Sequence, residues 1–294
     1  MKRNAILVPA VALLLLSAFY TYAPVAAQKD KQSIQPIALL TRTLMRHDTL
    51  RLGYGGAVSI VGAPTGSITV EGWPRSEVDV SAEIELRAPT AQDLDRLAVV
   101  NSVAIDEDAN HIRIITTGTH DKKFLKRVAR DFPKALIGLP WKVDYHIRVP
   151  AMSDLTIDTG NGPIKLSGVE GTIRINALES VADLSLTGND LSVIIQKGAV
   201  NFTIPARAWH GLTAEVKLAS GNLTVDLMPG FSGDINAEVL RTGEVKSTFA
   251  GLEPRERNSI GPHSVRARAG NGGAMLTFTV GEGAIQIGSV GSKQ

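Results

Sequence analysis

The chain has 294 residues, 44% of them hydrophobic, with 31 Lys and Arg against 29 Asp and Glu and no Cys. A near-neutral balance excludes the global positive field that non-specific nucleic-acid binding needs, so no nucleic acid is expected as a partner. Without Cys there is no disulfide, no thiolate nucleophile and no Cys-ligated metal, and the length suffices for a sizeable core or two modules.

Residues 1–27 have the form of a secretory signal peptide. Lys2 and Arg3 precede an apolar core from Ile6 to Ala18, and Val25-Ala26-Ala27 offers a small-residue cleavage site before Gln28. The apolar run is short of the roughly 20 residues a membrane span takes; retained, it would serve as an N-terminal membrane anchor. Without Lys2 and Arg3 the two charge counts balance at 29 each. Export to the periplasm or the cell surface is therefore expected.

Residues 28–56 read as a flexible or weakly helical N-terminal segment, with Pro36 suited to open a short helix through Leu40 and Leu44. Gly53-Tyr54-Gly55-Gly56 is a loop, since no G-x-x-x-x-G-K-S follows it. Residues 57–119 form an N-terminal β region. Short strands surround Ala57 to Ile60 and Ser67 to Val70, Gly72-Trp73-Pro74 turns the chain, and Val78, Val80, Ile84 and Leu86 mark a long alternating strand. Thr90 with Asp93 resembles a capping box for a short helix containing Leu94 and Leu97. Val103 and Ile105, then Ile112 and Ile114, flank the acidic turn Asp106-Glu107-Asp108 as a hairpin; the turn lacks the twelve-residue ligand spacing of a calcium loop.

Residues 120–140 interrupt the β pattern. Phe124, Leu125, Val128 and Phe132 define one helical face, and Lys122, Lys123, Lys126, Arg127, Arg130 and Lys134 cover much of the rest. This is a basic amphipathic insertion, suited to contact an anionic partner such as a membrane surface. The plainer reading is a surface helix packing its apolar face over the end of the β structure.

Residues 141–288 form a β-repeat region, followed by a tail at 289–294. Apolar and polar residues alternate with period two, as one-face-buried strands require. The inward set is Leu155 and Ile157, Ile164 and Leu166, Ile173 and Ile175, Leu184 and Leu186, Val193 and Ile195, Phe202 and Ile204, Val216 and Leu218, then Leu223, Val225 and Leu227. Strand centres near Thr156, Ser185 and Lys217 are related by shifts of 29 and 32 residues, and Gly160-Asn161, Gly188-Asn189 and Gly221-Asn222 follow them. The expected fold is therefore all-β: a repetitive, β-helix-like β-solenoid with three strands per coil and one or two short helices. Ile157, Leu186 and Leu218 would then stack. The alternative is a β-sandwich.

The stretch from Gly66 to Trp73, the alternating strand that follows it, Tyr145-His146-Ile147-Arg148-Val149-Pro150, the Gly-punctuated repeats and Asn271-Gly272-Gly273 together resemble the bacterial DUF4097 family of β-strand-repeat, adhesin-like proteins. The resemblance covers roughly residues 57–287. It implies a solenoid-like fold, an exported or membrane-associated location and no catalytic residues; the basic insertion departs from its plain strand repeat.

No catalytic, cofactor-binding or metal-ligating residue is assigned, and no cofactor is expected. The six His residues form no H-E-x-x-H, and no G-x-S-x-G occurs. Asp144 and His146 share a strand face but have no identifiable nucleophile beside them. Trp209 reads as a cap on the apolar spine, and none of the three Trp residues is assigned to a site. The leading expectation is a non-catalytic envelope binding or scaffold protein whose partner is an envelope protein or a glycan. The alternative is a polysaccharide-acting enzyme on a β-helix-like fold, drawing two carboxylates from Asp154, Asp158, Asp183, Asp190 and Asp226.

Overall fold

The structure, a computed structural model, describes residues 38–256 and 260–291; the leader expected at residues 1–27 and the helix start at Pro36 lie outside them. In chain order the elements are β1 (Leu40–Arg51), β2 (Ala57–Thr65), β3 (Ile68–Trp73), β4 (Glu77–Ala88), α1 (Ala91–Val100), β5 (Ser102–Glu107), β6 (His111–Thr117), α2 (Lys122–Val128), a 3-10 turn (Lys134–Leu136) and β7 (Trp141–Pro150). They continue with β8 (Asp154–Asn161), β9 (Ile164–Ser167), β10 (Ile173–Ser185), β11 (Leu191–Ile204), β12 (Thr213–Leu227), β13 (Gly233–Ser247), β14 (Leu252–Pro254), β15 (Ser264–Ala269) and β16 (Met275–Ser289). The chain is thus mostly β, with few short helices, and its strands join one large mixed sheet.

The long strands bend in the middle. In β10 the in–out alternation slips by one at Leu178 and Glu179, both exposed, so Ile173, Ile175 and Ala177 point inward before the slip and Ser180, Ala182 and Leu184 after it. Residues before the slip pair with β8 and those after it with β9. Each coil therefore has two limbs, and their inner faces meet. Phe202 of a second limb packs edge-on against Phe278 of a first limb with ring centroids 6.0 Å apart, and Thr116 of β6 hydrogen-bonds Tyr145 of β7 at 2.8 Å inside the core. Every residue of the inward set read from the sequence is buried.

Neighbouring coils pair parallel and in register. In the first limb the column runs Ile157, Ile175, Val193, Val216, Phe278, Ala237; in the second it runs Ile164, Ala182, Val200, Leu223, Ile285, Val245. The step between coils is 18 residues at Asp158–Asn176 and Asp183–Asn201, and 23 at Asp190–Thr213. The expected shifts of 29 and 32 are therefore corrected. Ile157 stands beside Ile175, Leu218 stands between Ile195 and Val280, and the Leu186 amide bonds Thr203, so these three side chains do not stack. The physical reason is that a bend within a strand and a turn between strands both call for Gly and Asn. Gly160-Asn161 sits at a bend and Gly188-Asn189 at a turn between coils, although they look alike in sequence.

The bend is marked instead by one column. Gly66, Gly162, Gly198, Gly221, Gly283 and Gly243 all have φ between +127° and +140°, a region open to Gly alone. A Cβ on Gly221 would lie 1.7 Å from the Gly198 carbonyl oxygen, so the coils approach through bare backbone. Ser180 takes this place in β10, and its Oγ is buried without a hydrogen-bond partner.

The coils do not stack in sequence order. β2 and β3 lie between β6–β7 and β8–β9, and β16 lies between β12 and β13. Where β2 passes to β3 through a short bend, β6 passes to β7 through the 120–140 insertion. One end is closed by β1, β4 and α1. The capping interaction at Thr90 forms as expected, its Oγ1 accepting from the Asp93 amide at 3.1 Å, and Leu94 and Leu97 are buried. The segment expected to be flexible or weakly helical contains β1, a 12-residue strand paired along its length with β4. A spacing of four, as between Leu40 and Leu44, keeps one face in a helix and in a strand alike; the tertiary partner decided. β1 aims Arg46 and Asp48 toward the interior side, where they pair with each other and Arg46 reaches the Val103 carbonyl. Inward charge on an edge strand discourages further strand addition.

Candidate functional site: a polar ladder with an aromatic corner

Outward residues of the second limbs stack at the strand spacing, about 4.8 Å. One column reads His146, Thr69, Lys165, Asp183, Asn201, Thr224, Gln286; the next reads Arg148, Glu71, Ser167, Ser185, Thr203, Asp226. The middle of this face is a shallow groove of about 380 Å³ lined by Thr69, Glu71, Lys165, Ser167, Asp183, Ser185, Asn201, Thr203 and Asp226. Asn201 donates to Asp183 at 2.6 Å, which fixes the pair. Because these strands are paired on both sides, the face offers side chains rather than backbone edges.

The face ends in a corner. Trp73 continues the outward parity of Thr69 and Glu71, and its indole Nε1 donates to the Glu77 carbonyl at 2.7 Å, locking the ring. The guanidinium carbons of Arg148 and Arg75 lie 4.6 Å and 4.9 Å from the ring centroid, within cation–π range. Arg148 is held by Asp79 at 3.2 Å. Arg75 is exposed and makes no ion pair among the described residues. Beside the ring a cavity of about 280 Å³ is bounded by Leu52, Tyr54, Pro74, Pro150 and Met152. Tyr54 at its rim is 91% exposed. The sequence reading treated Gly72-Trp73-Pro74 as a turn, and no sequence spacing links Tyr54, Trp73, Arg75 and Arg148.

The cations of the insertion are placed as follows. Lys122, Lys123, Lys126 and Arg127 lie on α2, Arg130 follows it and Lys134 opens the 3-10 turn; all six are exposed, and none forms an ion pair among the described residues. Arg127 is near enough to contribute to the lowered pKa of Asp121, which is chiefly due to the Phe124 amide. The expected helical face is corrected: α2 ends at Val128, which is 53% exposed, Phe132 falls beyond it, and Leu125 is its buried residue.

The carboxylates named as candidates are not brought to one point. Asp154 caps the Thr172 amide and Asp158 accepts from Asn176 on the first-limb face, whereas Asp183 and Asp226 line the second-limb groove in different columns. Asp144 is bound by Ser67 through both its amide and hydroxyl and by Lys142, each at 2.7 Å, rather than by His146. Burial opposes its ionisation, but these partners outweigh burial and lower its pKa. His120 is pushed below the usual histidine value by burial against Trp141, at 5.5 Å. A larger cleft of about 620 Å³ between β14 and β15 carries Arg255 and Arg268, both turned to buried Asp234. Trp209 is 5% exposed, packs on Phe202 and closes the core. Among the described residues no cluster of three His, Asp or Glu side chains could hold a metal, and no helix is long and apolar enough to cross a membrane.

No protein-family profile matches the chain, and no curated protein matches it in sequence. Solved structures that are distantly similar include the following two. One is a candidate cell adhesion protein from Clostridium sporogenes, at 11% identity and TM-score 0.45, with 84% of this chain and 100% of that chain covered. The other is a candidate adhesin from Bacteroides fragilis, at 8% identity and TM-score 0.25, with 84% and 97% covered. The similarity to DUF4097 thus remains one of sequence pattern.

Proposed function

We propose that this chain is a non-catalytic binding or scaffold protein of the cell envelope, holding an extended partner along the outward face of its second limbs. The observation that carries the reading is the in-register pair of polar columns through Lys165, Asp183, Asn201 and Thr224 and through Ser167, Ser185, Thr203 and Asp226. Such a surface presents two polar side chains at each coil, of varied type but at a constant spacing, which suits an extended partner. On the same grounds we assign the repeated region to the β-solenoids, in the manner of the DUF4097 proteins it resembles. Two limbs facing across one core give it a sandwich-like cross-section as well. Export, to the periplasm or surface, rests on the leader at residues 1–27.

Cosedimentation of the purified protein with envelope fractions tests this. Thr203→Arg, which fills the groove, should abolish binding, while Ser192→Arg on the first-limb face should not. Binding indifferent to Thr203→Arg defeats the reading. Turnover of a polysaccharide that is lost on replacing Asp183 and Asp226 would instead establish the enzyme alternative.

A second contact, with an anionic membrane surface, is favoured by the insertion. Its six cations are exposed and free of ion pairs among the described residues, and they project from the place where other coils make a short bend.

A further inference from the structure

We propose that the corner around Trp73 seats an acidic sugar residue at one end of a glycan, with the rest of the glycan lying along the polar ladder; this rests on the ladder being the binding face. Three observations meet there. The Trp73 ring is fixed by its bond to Glu77 and stands at the rim of a cavity with Tyr54, which is 91% exposed. A pyranose ring is apolar on its C–H face and hydroxylated at its edge, the combination that the exposed Tyr54 ring accepts, while Trp73 carries the two guanidinium groups. The cavity, about 280 Å³, lies at the small end of ligand pockets, near 300 Å³. It has room for one sugar unit.

The charge of that unit follows from the two guanidinium groups over the ring. Arg148 is committed to Asp79. Arg75, 4.9 Å from the ring centroid, has no carboxylate partner among the described residues. A cation poised at the mouth of an apolar cavity calls for an anion, and a guanidinium pairs best with a planar carboxylate, in bidentate fashion. A uronic acid supplies ring, hydroxyls and carboxylate together. Glu71, register partner of Arg148, then leads from the corner into the hydroxyls and amides of Ser167, Ser185 and Asn201. Those groups match sugar hydroxyls. An acidic peptide would instead need either an open strand edge or side-chain pockets along the ladder, and the ladder strands are paired on both sides.

The test is calorimetric titration of the full mature chain with a galactotetraose carrying one terminal galacturonate, with neutral galactotetraose and with tetraglutamate; a single acidic unit is used because Glu71, Asp183 and Asp226 line the ladder. Saturable binding of the singly acidic tetramer is expected, with the other two at least tenfold weaker. Arg75→Gln and Tyr54→Ala, both at exposed positions, should each weaken it at least tenfold. Thr203→Arg should weaken the tetramer while leaving monomeric galacturonate unchanged. No binding of the singly acidic tetramer, equal binding of tetraglutamate, or indifference to Arg75→Gln overturns the proposal. If envelope binding nonetheless remains sensitive to Thr203→Arg, the glycan assignment alone has failed; if that sensitivity is missing, the ladder reading has failed with it.

Discussion

Gly198 and Gly221 lie one above the other in adjoining coils, each at φ +136°, with no room between them for a single methyl group. The same contact recurs from Gly221 to Gly283 and from Gly283 to Gly243. The strand ladder holds the coils at its own spacing, and at the bend that leaves backbone against backbone.

Gly221→Ala should therefore cost at least the 1–3 kcal/mol of a residue held in a Gly-only conformation, plus the separation of two coils. Gly138→Ala is the control, since its φ is ordinary and nothing lies within 4 Å of an added Cβ. Urea unfolding of both variants decides this. Equal midpoints would show that the coils part freely at the bend.

Thr116 and Tyr145 join the two limbs by a buried hydrogen bond. Thr116→Val leaves the Tyr145 hydroxyl without that partner and should cost about 1–3 kcal/mol. Burial pushes the phenol up from 10.0 to about 12. The folded state thus holds a proton that the unfolded state releases, so this contribution is fully present below pH 10 and is lost as pH rises toward 12. Ultraviolet titration of the mature chain should find one of the two Tyr residues that follow the leader, Tyr145, ionising about two pH units late, and its absence from the late phase would refute its burial.

Asp79 gives the opposite limb. Burial disfavours its charge, but His47 at 3.0 Å and Arg148 at 3.2 Å outweigh burial and hold its pKa below 3.8. The unfolded state then binds the proton first as pH falls. Stability from Asp79 is present above the ordinary carboxylate value and is lost as pH drops through the lower, folded one. Asp144 behaves likewise. Asp79→Asn should flatten the decline of urea midpoints on the acid side of pH 4, and an unchanged acid limb would count against the pairing.

β16 is the last strand in sequence yet has neighbours on both sides, β12 and β13. The step from Asn222 to Ala284 spans 62 residues. A chain ending at Gly273 would expose the flank of β12 and remove Leu276, Phe278, Val280, Ile285 and Ile287 from the core. It should lose the cooperative unfolding transition and bind a hydrophobic dye. A cooperative transition with the full-length midpoint would mean that β13 closes onto β12 unaided.

Replacing Lys122, Lys123, Lys126 and Arg127 with Gln should reduce cosedimentation with anionic vesicles, and added salt should do the same to the unaltered protein. The fold should be unaffected, because all four side chains are exposed. Failure of the intact protein to bind such vesicles leaves α2 as a structural cap.

The sequence by itself determined which side of each strand faces the core. Leu155 to Leu227 could be sorted into inward and outward residues because the period of two is a local property of extended backbone. The capping at Thr90, the β5–β6 hairpin and the buried place of Trp209 were legible for the same kind of reason, being settled by residues close in sequence or by one large apolar surface. Only the tertiary structure decided which strands are neighbours. Parallel pairs put Ile157 beside Ile175 and Val216 beside Phe278, and the period-two pattern is the same whichever partner a strand takes. It likewise decided that Gly162, Gly198 and Gly221 mark bends while Gly188 marks a turn between coils, since both demand small residues. The corner of Trp73, Arg75 and Tyr54 was hidden for the same reason: its groups come from a strand end and two loops, and the stacking of coils brings them together, not their spacing along the chain.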